Sequence, residues 1–118
     1  MSFSISSFIL KNDDTLWGCG NNQYGQLGLK DGYKYTFTQI TDNIKSAYCG
    51  WRYTIILKND DTLWGCGYND KGQLGLGDTT NRSTFTQITN NVKSVYCSYR
   101  HTIILKNDGT LWGCGQNN

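Results

Sequence analysis

The sequence predicts an all-β fold assembled from repeated units, and three observations carry that prediction. The segment LKNDDTLWGCG at 10–20 returns unchanged at 57–67 and, with one Asp replaced by Gly, at 105–115. Trp17, Trp64 and Trp112 mark the period at spacings of 47 and 48 residues, and GQLGL, TFTQIT, KS and YC recur in order between them. No stretch keeps a helical period, whereas short apolar and β-branched runs bounded by turn residues recur throughout. A period of this length belongs to a propeller or a solenoid, whose units cannot bury their apolar faces alone.

Each repeat opens with a hairpin. Phe8-Ile9-Leu10, Ile55-Ile56-Leu57 and Ile103-Ile104-Leu105 each lead through a polar turn into Thr-Leu-Trp-Gly-Cys-Gly. The tetrads Asn12-Asp13-Asp14-Thr15, Asn59-Asp60-Asp61-Thr62 and Asn107-Asp108-Gly109-Thr110 suit a type I turn whose last turn residue takes positive φ. A polar loop follows, then Gly-Gln-Leu-Gly-Leu at 25–29 and 72–76, where glycines serve sharp backbone turns. Residues 36–40 and 84–88 alternate polar and apolar side chains and form a third strand. Ile44–Cys49 and Val92–Cys97 form a fourth.

At 118 residues the chain has the size of one domain, yet it holds only about two and a half repeats. The period divides it into residues 1–47, a first partial unit lacking one strand, 48–95, a second unit, and 96–118, the start of a third. Sparse charge, many glycines, no proline and many aromatics suit short strands joined by tight turns. A net charge of +2 gives no strong attraction to nucleic acid or anionic lipid. The N-terminus has no basic region and its apolar runs are broken by serines, so neither a secretory signal nor a membrane span is read there, and a cytoplasmic location is the default. Cys19, Cys66 and Cys114 share one repeat position and Cys49 and Cys97 another, so repetition explains their spacing and free thiols are expected.

The motifs resemble those of the regulator of chromosome condensation family, in which Trp-Gly-x-Asn, Gly-Gln-Leu-Gly and Gly-x-x-His elements build four-stranded propeller blades. Gly25-Gln26-Leu27-Gly28 and Gly72-Gln73-Leu74-Gly75 match in full. Cys19, Cys66 and Cys114 stand where the family usually has Trp, and the proline that usually precedes the third strand is absent. The Gly-x-x-His element is Gly50-Trp51-Arg52-Tyr53 once and Ser98-Tyr99-Arg100-His101 once. The resemblance implies β-propeller blades of four-stranded antiparallel sheets, and an incomplete ring within one chain. It implies loop-mediated binding, which in the family extends to nucleotide exchange on a small GTPase by a longer chain. Open strand edges would favour self-association, including closure of a ring as a homo-oligomer.

Motifs that could carry chemistry are better explained by turns. The loops 20–25 and 67–72 carry the glycine frame of a phosphate-binding loop, but Gln26 and Gln73 stand where its Lys is required. The Asp and Asn clusters lack the alternating carboxylates and closing Glu of a calcium loop. His101 is the sole histidine, and Tyr53 at its repeat position could not replace it as a base. The chain therefore reads as a non-enzymatic binding module with no cofactor or metal. Its candidate partner-binding residues are Trp51, Arg52, Tyr53, Tyr99, Arg100 and His101, because aromatic and Arg side chains most often anchor protein interfaces. A protein partner fits this pattern better than nucleic acid or a membrane.

A side chain with a Cβ takes left-handed geometry at a cost on the order of 1 kcal/mol. Asp14→Gly and Asp61→Gly are accordingly expected to raise the melting temperature, and a clear drop would show the turn wrongly assigned.

Overall fold

The computed structural model describes residues 6–30 and 32–116. Ten strands and no helix lie among them: β1 (Ser6–Leu10), β2 (Leu16–Gly20), β3 (Lys34–Thr41), β4 (Ile44–Cys49), β5 (Tyr53–Lys58), β6 (Leu63–Gly67), β7 (Arg82–Thr89), β8 (Val92–Cys97), β9 (His101–Lys106) and β10 (Leu111–Gly115). They form three antiparallel sheets, β1-β2-β3, β4-β5-β6-β7 and β8-β9-β10. Each sheet is a propeller blade, and the middle one has all four strands.

The blades part at the two-residue links 42–43 and 90–91, where Asn43 and Asn91 take φ of 58° and 55°. The boundaries drawn from the repeat period, at 47/48 and 95/96, thus fall inside β4 and β8, each of which pairs with the sheet that follows it. The left-handed Asn turns the chain out of one blade, and both sides hold the link. Ile44 and Val92 donate their N–H groups to the carbonyls of Asp14 and Asp61 in the blade before, at 3.0 Å. Asn59 and Asn107 donate theirs to the carbonyls of Asn43 and Asn91, at 2.9 Å.

The hairpin turns follow the sequence closely. Asp14, Asp61 and Gly109 have φ of 66°, 67° and 86°. Before each of them an Asp caps the turn: Asp13 Oδ1 accepts from the Thr15 N–H at 3.1 Å and from its hydroxyl at 2.6 Å. Thr15 Oγ1 in turn accepts from Trp17 Nε1 at 2.9 Å, and the same relay recurs at Asp60-Thr62-Trp64 and Asp108-Thr110-Trp112. The ammonium groups of Lys11, Lys58 and Lys106 lie 4.1, 4.3 and 5.8 Å from the centres of the Trp rings that this relay fixes. These lysines lie over the tryptophan rings.

Burial comes from contact between blades. In β5, Tyr53, Ile55 and Leu57 join Leu63, Leu74, Val92 and Ile104 in a core between the second and third blades. Ile56, from the opposite face of β5, packs with Leu16 and Ile44 in a core between the first and second. A strand buried on both faces explains its unbroken apolar run, since alternation is lost where both sides are covered. Phe85 of β7 crosses to the first blade, where its ring occupies the space that a Cβ on Gly28 would need, at 2.4 Å.

The Asp residues of the turns also act across blades. Asp14 Oδ2 accepts from Asn59 Nδ2 at 3.1 Å, and Asp61 Oδ2 from Asn107 Nδ2 at 3.2 Å. Asp61 Oδ1 also pairs with the ammonium of Lys45. Glycine at either position relieves the turn but releases this clasp. Asp14→Gly is therefore expected to raise the melting temperature more than Asp61→Gly, whose carboxylate holds two partners.

The Thr hydroxyls hold the Asp13, Asp60 and Asp108 carboxyls below the usual carboxylate range. A carboxyl depressed in the folded state stabilises it above the unfolded value of about 4, and that contribution is lost as pH falls through the folded value. Thr62→Val is expected to flatten part of the fall in melting temperature measured from about pH 6 down to about pH 2.

Candidate protein-interaction face

The loops between β4 and β5 and between β8 and β9 lie side by side, joined by the Trp51 N–H donating to the Tyr99 carbonyl at 3.0 Å. The loops that follow β2 and β6 meet them, and the Tyr68 N–H donates to the Arg52 carbonyl at 2.8 Å. Arg52 takes φ of 62°, the left-handed geometry that turns its side chain back over the first blade's loop.

The side chains form a continuous stack of rings and guanidinium groups. The Arg52 guanidinium lies 4.1 Å from the Trp51 ring centre and 5.0 Å from that of Tyr24, whose hydroxyl accepts from Arg52 Nη1 at 2.9 Å. On the other side, Arg100 lies 4.6 Å from Trp51 and 5.1 Å from Tyr99, and its Nη1 approaches Asp70 Oδ2 at 3.5 Å. Trp51 and Tyr99 stack at 4.9 Å, while Tyr68 bridges Tyr24 at 4.5 Å and Trp51 at 5.6 Å. Tyr99 is 55% exposed at the outer end of the stack. Cation–π contacts of this kind keep planar groups in register and leave their edges open to a partner.

Four of the six residues singled out from the sequence, Trp51, Arg52, Tyr99 and Arg100, meet here. Tyr53 does not: its side chain is buried between blades, with its hydroxyl oxygen 2.6 Å from the His101 carbonyl and 2.9 Å from that of Ser98. One phenolic hydrogen is shared between those two acceptors, and burial pushes the phenol's pKa upward, so it stays a donor. His101 is half-buried and lies outside the stack of rings, lining an open groove with Ile103 and Gln116 that Tyr99 and Arg100 of the stack also border. Tyr24, Tyr68 and Asp70 belong to the face although their roles are not read from the sequence. Their signal was a break in the repeat, since Tyr24 aligns with Lys71, Tyr68 with Asn21 and Asp70 with Gln23.

The junctions beneath this face are sealed by main-chain carbonyls. The Gln26 carbonyl accepts from Thr54 Oγ1 at 2.7 Å and faces Cys66 Sγ at 3.6 Å; the Gln73 carbonyl accepts from Thr102 Oγ1 at 2.7 Å and faces Cys114 Sγ at 3.4 Å. Burial raises the Cys66 thiol and pushes that of Cys97 up to about 12, which keeps them protonated and poor nucleophiles. Among the described residues no group of three or more His, Cys, Asp or Glu is placed to hold a metal ion. No helix among them is long and apolar enough to cross a membrane.

The fold is that of a β-propeller built from four-stranded blades joined through Gly-Gln-Leu-Gly loops. Residues 13–57 and 60–105 match the family model of the Regulator of chromosome condensation (RCC1) repeat, and residues 44–73 match a second model of the same repeat. The chain belongs to the RCC1 repeat family. Among solved structures it is similar to human WBSCR16, with 26% identity and a TM-score of 0.84 over 94% of this chain and 31% of that one. Yeast RCC1 (Prp20) bound to Kap60 matches at 24% identity and a TM-score of 0.82, over 93% of this chain and 30% of that one. Prp20p from Saccharomyces cerevisiae, whose binding properties to Gsp1p and histones were studied with its structure, matches at 22% and 0.81, over 96% and 29%. This chain thus spans less than a third of the length of each of these proteins. No curated protein matches it significantly in sequence.

The Tyr53 ring passes so close to Gly50 that an added Cβ would meet it at 1.9 Å. Overpacking at such a site costs about 1–3 kcal/mol. Gly50→Ala is expected to lower stability by about that amount, with most of the loss recovered in the Gly50→Ala/Tyr53→His double variant. A denaturant-based double-mutant cycle checks the coupling, and additive effects would remove it.

Proposed function

We propose that the chain is a non-catalytic binding module that presents the aromatic and arginine face of its blades to a protein partner. The observation that carries this reading is the stack from Tyr24 through Arg52, Trp51 and Arg100 to Tyr99, which combines exposure at Tyr99 with side chains already ordered. Ordering before binding lowers the entropic cost of association. Trp, Tyr and Arg are also the residue types that dominate interface energies, because they bury large area while keeping polar edges.

The similar structures support a protein partner as the class. Yeast RCC1 is bound to Kap60 in one of them, and the binding of Prp20p to Gsp1p and histones accompanies the other. Nucleotide exchange would require a GTPase-engaging element, and none of the residues described here marks one.

Affinity capture with the wild-type chain, a Tyr99→Ala/Arg100→Ala variant and a Tyr96→Ala control tests the reading. Tyr96 is 64% exposed but lies on β8, outside the stack. A discrete protein retained by wild type and control, and lost at least about tenfold in the double variant, is expected from residues of this kind. Equal recovery by all three would overturn the proposal. So would binding that follows nucleic acid and falls steeply with salt.

A further inference from the structure

Gln26 and Gln73 hold the same place in their loops, but only Gln73 has both ends of its amide in use. Gln73 Oε1 accepts from the Lys71 N–H at 2.9 Å, and its Nε2 donates to Asp70 Oδ1 at 3.3 Å. Gln26 Oε1 accepts from the Tyr24 N–H at 2.9 Å in the same way, whereas its Nε2 has no acceptor among the described residues. Gln26 is only 2% exposed. A buried donor without an acceptor carries the cost of its lost hydration, and that cost is recovered by whatever group supplies the acceptor.

The repeat shows which group that is. Residue 70 aligns with residue 23, so the carboxylate of Asp70 at the second junction is replaced by the neutral amide of Gln23 at the first. Asp70 serves two donors: Oδ1 takes the Gln73 amide, and Oδ2 lies 3.5 Å from Arg100 Nη1. The corresponding donors at the first junction are Gln26 and Arg52. Arg52 is already turned onto this loop, where its Nη1 meets the Tyr24 hydroxyl and the N–H of the same Tyr24 meets the Gln26 amide. Gln23 is exposed, so a carboxylate can arrive from solvent at the position that Asp70 fills from within. Both loops are internal to the sequence, between β2 and β3 and between β4 and β5.

We infer that the junction of the first and second blades holds a carboxylate-binding subsite, formed by Gln26 Nε2 and the Arg52 guanidinium, which takes an Asp or Glu side chain of a protein partner. The partner as source of the carboxylate rests on the proposed binding role, while the subsite rests on the comparison of the two junctions. One planar group with two oxygens meets an amide and a guanidinium together, as Asp70 does, and an ionised acceptor makes both bonds stronger than a neutral one would. Gln23 offers at most a neutral oxygen in that place. The rings of the stack supply contact area, and the subsite beside Tyr24 requires an acidic residue next to it.

The test follows the NMR signal of the Gln26 side-chain amide in the full chain as sodium acetate is added, with sodium chloride at equal ionic strength and acetamide as controls. A saturable shift with acetate alone is expected. Gln23→Asp, which copies the second junction, is expected to show the shifted signal without acetate and to lose the titration, while Gln23→Asn keeps it. In affinity capture, Gln23→Asp is expected to retain at least about tenfold less of the partner than wild type, and Gln23→Asn as much as wild type. No saturable shift with acetate, or a Gln23→Asp variant that still titrates, would overturn the subsite whether or not a partner is captured. Acetate binding with full retention of the partner by Gln23→Asp would overturn the partner as source and leave a site for a free ion. Failure of wild type to capture any protein would also remove that source, and the acetate titration would still decide the subsite.

Discussion

Two main-chain carbonyls, those of Gln26 and Gln73, hold the blades to one another. Each accepts a hydroxyl proton from the next blade's Thr, with the thiol of that blade's Cys beside it. They can do so because the Gly-Gln-Leu-Gly loop is fixed internally. Gln26 Oε1 and Gln73 Oε1 accept loop N–H groups at 2.9 Å, while Asn22 Oδ1 and Asn69 Oδ1 hold the N–H groups of Leu27 and Leu74. With these four side-chain oxygens used to shape the loop, the carbonyl is left to point across the junction. Thr54 and Thr102 are buried almost completely, so losing this bond would leave a buried polar group unsatisfied at a cost of about 1–3 kcal/mol. The glycine frame that resembles a phosphate-binding loop thus has a structural purpose.

The stack of aromatic and arginine side chains follows from those junctions. Because the carbonyls set the spacing between blades, the connecting loops of the second and third blades come close enough for the Trp51 N–H to reach the Tyr99 carbonyl. Arg52 reaches the Tyr24 hydroxyl and Arg100 the Asp70 carboxylate, each on a neighbouring loop. The face is asymmetric even though the repeats beneath it are nearly identical.

What the sequence reveals of this fold is what depends on neighbours along the chain. The hairpins, the positive φ at Asp14, Asp61 and Gly109, and the antiparallel order of strands are local consequences of turn chemistry and alternation. What depends on contact between repeats is not legible in the same way. The Asp14 to Asn59 clasp joins two side chains that each look like ordinary turn residues. Tyr53 looks like part of an exposed aromatic cluster because only the neighbouring blade, which brings the carbonyls of Ser98 and His101, shows that it is covered. The blade boundaries shift for a similar reason, since the repeat period has no marked origin and the left-handed Asn43 and Asn91 set it.

The two versions of the Gly-x-x-His element show how near-identical repeats still specialise. A phenol at position 53 crosses to the next blade and requires Gly50 beneath its ring, whereas the smaller imidazole of His101 tolerates Ser98. The two positions change together, large with small and smaller with larger, so each pair fills a comparable space by different means. The other departures from the repeat, at Tyr24, Tyr68 and Asp70, lie at this same end of the blades and build the stack around Trp51. Lys71 and Asn21 could not reproduce it at another junction, because neither offers an aromatic ring. On the proposed binding role, recognition would therefore read one particular junction rather than the repeating rim of a propeller.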